Sequence, residues 1–157
     1  MTVGGSVGEV LNRSVRIHGI DVGEPVDVLL DPDLRCVLGL EVHCRDGVNR
    51  FLPWLAGELQ PDELLVELPV ALLDGPQLEY YREQALALNA LRRLPVDGFD
   101  TPAARVEDVV VDARGRVVAL EIDARRRRRT IELDRVRVET DRVVVDATPV
   151  AGSKALA

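Results

Sequence analysis

The stretch Val-Arg-Ile-His-Gly-Ile-Asp-Val-Gly-Glu-Pro-Val-Asp-Val-Leu-Leu-Asp, running from Val15 to Asp31, returns 81 positions later between Val96 and Asp112. The match has no gap: Val15 falls on Val96, Asp27 on Asp108, Val28 on Val109 and Asp31 on Asp112. One residue is then lost from the second copy, and Leu40-Glu41-Val42 answers to Leu120-Glu121-Ile122. Further on, Leu64-Leu65-Val66-Glu67 answers to Val143-Val144-Val145-Asp146, and Pro69-Val70-Ala71 to Pro149-Val150-Ala151. Identities are few, but the order of elements is kept throughout, as in a duplicated supersecondary unit. A chain so constrained must build one small fold twice. At 157 residues it has room for two very small domains.

Each copy reads as short strands broken by turns. In the first, Val26–Leu30 ends at the turn cluster Asp31-Pro32-Asp33, and Cys36–Cys44 closes at Arg45-Asp46-Gly47. Arg50–Leu52 follows, limited by Pro53, and Leu64–Leu68 is the last strand. In the second, Val106–Val111, Arg116–Asp123, Thr130–Leu133, Arg135–Glu139 and Arg142–Val145 repeat the series. Aromatic residues make up only 3%, so the core must come from Val, Leu, Ile and Ala, which suits many small strands. Strands of this length and spacing suggest small barrels, whose closure removes exposed edges. Between the copies the period changes. Leu78, Tyr81, Ala85, Leu88 and Leu91 recur at helical spacing, which predicts one amphipathic helix over Gln77–Leu94, entered at Asp74-Gly75-Pro76 and stopped by Pro95.

The pattern of Gly19…Gly23-Glu24-Pro25-Val26-Asp27-Val28-Leu29-Leu30-Asp31, then Val37-Leu38-Gly39-Leu40, then Phe51-Leu52-Pro53, resembles the PRC-barrel. That small β-barrel occurs in the photosynthetic reaction-centre H subunit and at the C-terminus of RimM-type ribosome-maturation factors. The resemblance spans residues 7–71 and, more weakly, 91–150, where Ala104 stands for Gly23, Ala119 for Gly39 and Leu133 for Pro53. It implies a binding and assembly module with no shared catalytic residue. The expected fold is therefore mainly all-β: two PRC-barrel-like β-barrels in tandem with one connecting α-helix. Residues 1–75 form the first repeat, 76–95 the helix, and 96–157 the second repeat with a short disordered C-terminal tail.

Charge narrows the partners. Residues 1–75 hold 5 basic and 13 acidic residues, a formal −8 that repels a phosphate backbone. Residues 76–157 hold 15 basic and 14 acidic, with the positive charge gathered in Arg125, Arg126, Arg127, Arg128 and Arg129. This run aligns near the Arg45–Asn49 hairpin connection. It reads either as a basic finger or as a solvated tip beside Glu121, Asp123, Glu132 and Asp134. As a finger, it suits an acidic protein first, including the acidic half of another copy. RNA comes second, since no Phe or Tyr is interleaved to stack on bases.

Trp54, with Phe51 beside Pro53, is a candidate exposed anchor or a core filler, and Tyr80-Tyr81 straddles two helix faces, leaving Tyr80 as a candidate contact. No catalytic residue can be nominated, and enzymatic activity is not expected. Cys36, Cys44, His18 and His43 have no metal-ligand spacing, so neither metal nor cofactor is expected. Asp27 and Asp108 are explained by the repeat as hydrogen-bond acceptors. No apolar run approaches the roughly 18 residues of a membrane span, and Met1–Gly8 lacks the basic and apolar stretches of a secretory signal. A cytoplasmic protein that binds another protein or itself is the expectation.

Overall fold

Alternating apolar residues and turn clusters produce the strands, and the computed structural model describes residues 5–99, 101 and 103–146. The chain opens with β1 (Gly5–Ser6) and a 3-10 turn (Val7–Asn12). Then come β2 (Ser14–Ile17), β3 (Ile20–Leu30), β4 (Val37–Cys44), β5 (Asn49–Pro53), β6 (Gly57–Leu59) and β7 (Glu63–Val66). After α1 (Pro76–Gln84), the series restarts as β8 (Leu86–Ala87), α2 (Leu88–Leu91) and β9 (Val96–Asp97). It ends with β10 (Arg105–Val111), β11 (Val117–Ala124), β12 (Arg127–Glu132), β13 (Val136–Val138) and β14 (Val143–Val145). The fold is mostly β, with curled sheets closing over Val, Leu and Ile side chains.

The ladders of the two halves coincide residue for residue. Val28 faces Leu40 and Leu40 faces Leu52, while Val109 faces Leu120 and Leu120 faces Ile131. Both long strands carry irregularities at equivalent places, before Asp27 and Asp108 and after Leu29 and Val110. The parallel pair β2–β7 sets Val15 on Leu64, and β9–β14 sets Val96 on Val143. Of these residues, Val15, Val28, Leu40, Leu52, Leu64, Val109, Leu120 and Val143 are fully buried. Gly39 lies against Phe51, where a Cβ would come 2.5 Å from the ring. Thr130 occupies the place of Phe51 opposite Glu121, and Ala119 stands where Gly39 does. The ladder puts Glu132 rather than Leu133 in the place of Pro53, since Gly39 faces Pro53 and Ala119 faces Glu132.

The offset of 81 extends further upstream than the strand pattern reveals. Gly5 and Ser6 correspond to Leu86 and Ala87, and each pair crosses to the other half. Gly5 pairs with Val111 and Ser6 with Val110, while Leu86 pairs with Leu30 and Ala87 with Leu29. Val7 and Val10 are then buried after β1, as Leu88 and Leu91 are after β8. Each half thus lends its first strand to the sheet of the other.

A second reciprocal contact joins the halves at the β3–β4 and β10–β11 turns. The Val37 amide donates to the Gly115 carbonyl at 2.9 Å, and the Val117 amide donates to the Arg35 carbonyl at 3.0 Å. Cys36 and Arg116 face each other between these bonds. Val37 corresponds to Val117, and Arg35 to Gly115, so the two bonds exchange under a local two-fold relation.

The single helix expected over Gln77–Leu94 is interrupted. α1 ends at Gln84, and Ala85 is extended (φ −97°, ψ 157°). β3 is long and β2 pairs with it only as far as Gly23, which leaves the Leu29–Leu30 edge open for β8. That edge captures residues of high helix propensity, a tertiary override of a weak local preference. Leu78 and Leu88 are nevertheless buried, as expected, and Ala85 is partly buried. α1 is tied down by Arg82, which donates to Glu41 at 2.6 Å, and by Tyr81, which stacks on Phe51 at 3.9 Å. The expected C-terminal tail lies outside the described residues.

Candidate functional site

The arginine run divides between a turn and a strand. Arg125 and Arg126 form a two-residue connection closed by the Ala124–Arg127 pair, with φ of 54° and 66°. Positive φ at both positions gives the turn handedness that matches strand twist, normally supplied by Asn-Gly. Non-glycine residues hold it at a cost of about 1–2 kcal/mol each. Arg127, Arg128 and Arg129 lie in β12, so the connection expected from sequence is shorter than the run.

Strand alternation then sorts the guanidiniums. Arg128 meets Glu107 at 3.3 Å and Glu121 at 3.7 Å. Arg127 and Arg129 share the other face with buried Ile131, and the Arg129 guanidinium stands 5.9 Å from the centre of the Phe99 ring. Among the described residues, Arg125, Arg126, Arg127 and Arg129 have no carboxylate within 4.0 Å. Phe99, Thr101, Ala124, Arg125, Arg127 and Arg129 line a groove of about 450 Å³. Its chemistry is that of an anion site with one aromatic wall. Phe99 lies outside the run in sequence and reaches it only through the fold, so no sequence pattern marks it.

The other candidates are placed elsewhere. Trp54 is not an exposed anchor: it is 5% exposed and packs against Gly115 at the seam between the halves. A Cβ at Gly115 would lie 2.5 Å from the indole Nε1, and φ there is +80°. Scarcity of aromatics made core filling the alternative, and the seam is where the indole is used. Tyr80 is 59% exposed on α1, edge-on to Tyr81, on the first half and apart from the arginine groove.

Asp27 and Asp108 have a role that sequence reasoning reached only in part. Asp108 accepts from Val109 N and from Gly8 N, both at 2.8 Å. Asp27 accepts from Val28 N at 2.9 Å and from Asn89 N at 3.1 Å. Each therefore caps the segment lent by the other half. Burial raises the pKa of both carboxyls, against the lowering effect of these amides. Extending the offset of 81 to Val7 and Leu88 is the signal that would have revealed the capped segments.

The start of the second half at β8 and the reach of its last strand to Val145 delimit a unit that can be compared with known domains. Residues 83–151 match the PRC-barrel domain. The match opens three residues before β8, so it takes in the lead segment that helical spacing places in the linker helix. It also falls on the half whose resemblance looked the weaker from sequence. No curated protein was found to match the chain. Among the described residues, no helix is long and apolar enough to cross a membrane.

Proposed function

We propose that this chain is a non-enzymatic protein-interaction or assembly module built from two PRC-barrel-type units, with the Arg125–Arg129 hairpin as its contact element. The PRC-barrel match supports it, because that family often serves in protein interaction and assembly. The equal ladders of the two halves support treating residues 5–66 as a second unit of the same kind. The observation that carries the reading is the exposed hairpin in which, among the described residues, only Arg128 of the five arginines meets a carboxylate. Guanidiniums held outward without carboxylates are suited to an acidic surface, and −8 on residues 1–75 makes a second copy one such surface. RNA is the second reading, because guanidiniums without carboxylates also suit phosphates.

Capture from extract of the native cell separates the two. The full chain and a variant with Arg126→Ser, Arg127→Ser and Arg128→Ser are compared with and without ribonuclease, and sedimentation of each at low and high salt measures self-association. The expected result is a ribonuclease-resistant protein partner or self-association that weakens with salt and with the variant. Retention that ribonuclease abolishes would move the assignment to RNA. Identical behaviour of the two chains would remove the hairpin from the function.

A further inference from the structure

The first half carries the same groove in a neutralised form. Arg45 and Arg50 line it with Ile17, Cys44, Pro69 and Leu72. Arg50 stands opposite Val42 as Arg129 stands opposite Ile122, and Arg45, like Arg125, opens the hairpin connection. Both first-half guanidiniums are held by carboxylates of their own chain. Arg45 meets Asp21 at 3.0 Å and Glu24 at 3.3 Å, and Arg50 meets Asp46 at 2.8 Å and Asp74 at 3.9 Å.

None of these four acids has a counterpart in the second half. The offset of 81 puts Pro102 for Asp21 and Arg105 for Glu24. The shorter connection deletes the place of Asp46, and the alignment of the two Pro-Val-Ala segments puts Lys154 for Asp74. One molecule thus holds two versions of one site, and among the described residues the second brings no carboxylate to Arg125, Arg127 or Arg129.

The first half also shows what occupies such a site. Pro69 and Leu72 of the segment after β7 line its groove. Leu73 is anchored to Phe51 by backbone bonds in both directions, at 2.6 and 2.8 Å, and Asp74 follows. This segment turns through a 3-10 stretch at Pro69–Ala71, lays Pro69 and Leu72 against the groove and brings the Asp74 carboxylate to 3.9 Å from Arg50. Resting on the interaction-module reading and narrowing it, we propose that the groove of Arg125, Arg127, Arg129 and Phe99 binds an acidic peptide segment of a partner protein. Its carboxylates meet the guanidiniums and an apolar side chain lies against Phe99. A peptide fits better than RNA because Arg129 already stands over the one ring available for stacking.

The probe is a fluorescein-labelled peptide of sequence Glu-Leu-Pro-Val-Ala-Leu-Leu-Asp, which is residues 67–74 of this chain, titrated with the full-length protein and read by anisotropy. We expect saturable binding that weakens about tenfold or more in Arg127→Ser/Arg129→Ser. The same loss is expected when the peptide acids are replaced by their amides, whereas Arg114→Ser, at an exposed arginine outside the hairpin, stays within about twofold. Arg105→Glu, a substitution at an exposed position, should also weaken binding by compensating Arg125 as Glu24 compensates Arg45. It keeps the test decisive if the double variant is unstable. Absence of saturable binding, or equal binding by wild type and both groove variants, would overturn the proposal. If the hairpin-dependent capture of a protein persisted in that case, only the groove assignment would fall. A labelled oligoribonucleotide that bound more tightly and lost binding in the same variants would overturn the groove proposal and the protein-interaction reading together.

Discussion

Asp108 is the residue at which burial and hydrogen bonding oppose each other most directly. It is 8% exposed and satisfies two amides, one of them 100 positions away in sequence. Burial raises its pKa, so its contribution to stability is fully present below the unfolded value of about 4 and lost as pH rises through the folded value. Asparagine keeps the acceptor and carries no charge. Asp108→Asn should therefore equal or exceed wild type near pH 7, with its relative advantage shrinking toward pH 4. Asp108→Ala strands two amides and should cost about 1–3 kcal/mol at both pH values. Denaturant unfolding at the two pH values checks this, and an asparagine variant weaker at pH 7 would mean that Arg92, 4.0 Å away, needs the charge. The equal places of Asp27 and Asp108 were legible in the sequence. Their partners were not, because Gly8 and Asn89 reach them only after the lead segments have crossed between halves.

Elements were legible where periodicity and tertiary demand agree. The strands around Val28, Leu40, Val109 and Leu120 follow from alternating apolar residues bounded by turn clusters, and their registers match the alignment of the copies. The helix over Gln77–Leu94 shows the opposite case. Its apolar spacing marked Leu78, Ala85 and Leu88 for burial, and Leu78 and Leu88 are buried while Ala85 is only partly so, yet an open edge on β3 converts Leu86–Ala87 into strand. Local propensity carries no information about a strand edge more than 50 positions earlier. Leu88 is fully buried in the short helix that follows. Leu88→Ala should thus destabilise the chain by about 2–5 kcal/mol, lowering the thermal midpoint measurably. A change below about 0.5 kcal/mol, the range of exposed substitutions, would show that α2 is not packed as described.

At the scale of the molecule, two equivalent units complete each other twice: by exchanging first strands, and by clasping their β3–β4 and β10–β11 turns. This relation makes the two grooves comparable. It lets the carboxylates of one half show what the other lacks, a contrast that the arginine run alone could suggest only as an excess of charge. Trp54 and Gly115 fill the seam, which is where a sequence poor in aromatics has placed its indole. The equivalence of the two grooves depends on that reciprocal seam. Cys36 and Arg116 face each other there as a non-hydrogen-bonded antiparallel pair, which sets Cα atoms about 4.5 Å apart, within reach of a disulfide. Burial raises the Cys36 thiol pKa, so oxidation belongs at mildly alkaline pH. In Arg116→Cys, mild oxidation of the folded chain should link the introduced thiol to Cys36 within one molecule, leaving Cys44 reduced, as read by non-reducing peptide mass mapping. A monomeric chain in which the introduced thiol stays free, or pairs between molecules instead, would contradict the interlocked arrangement.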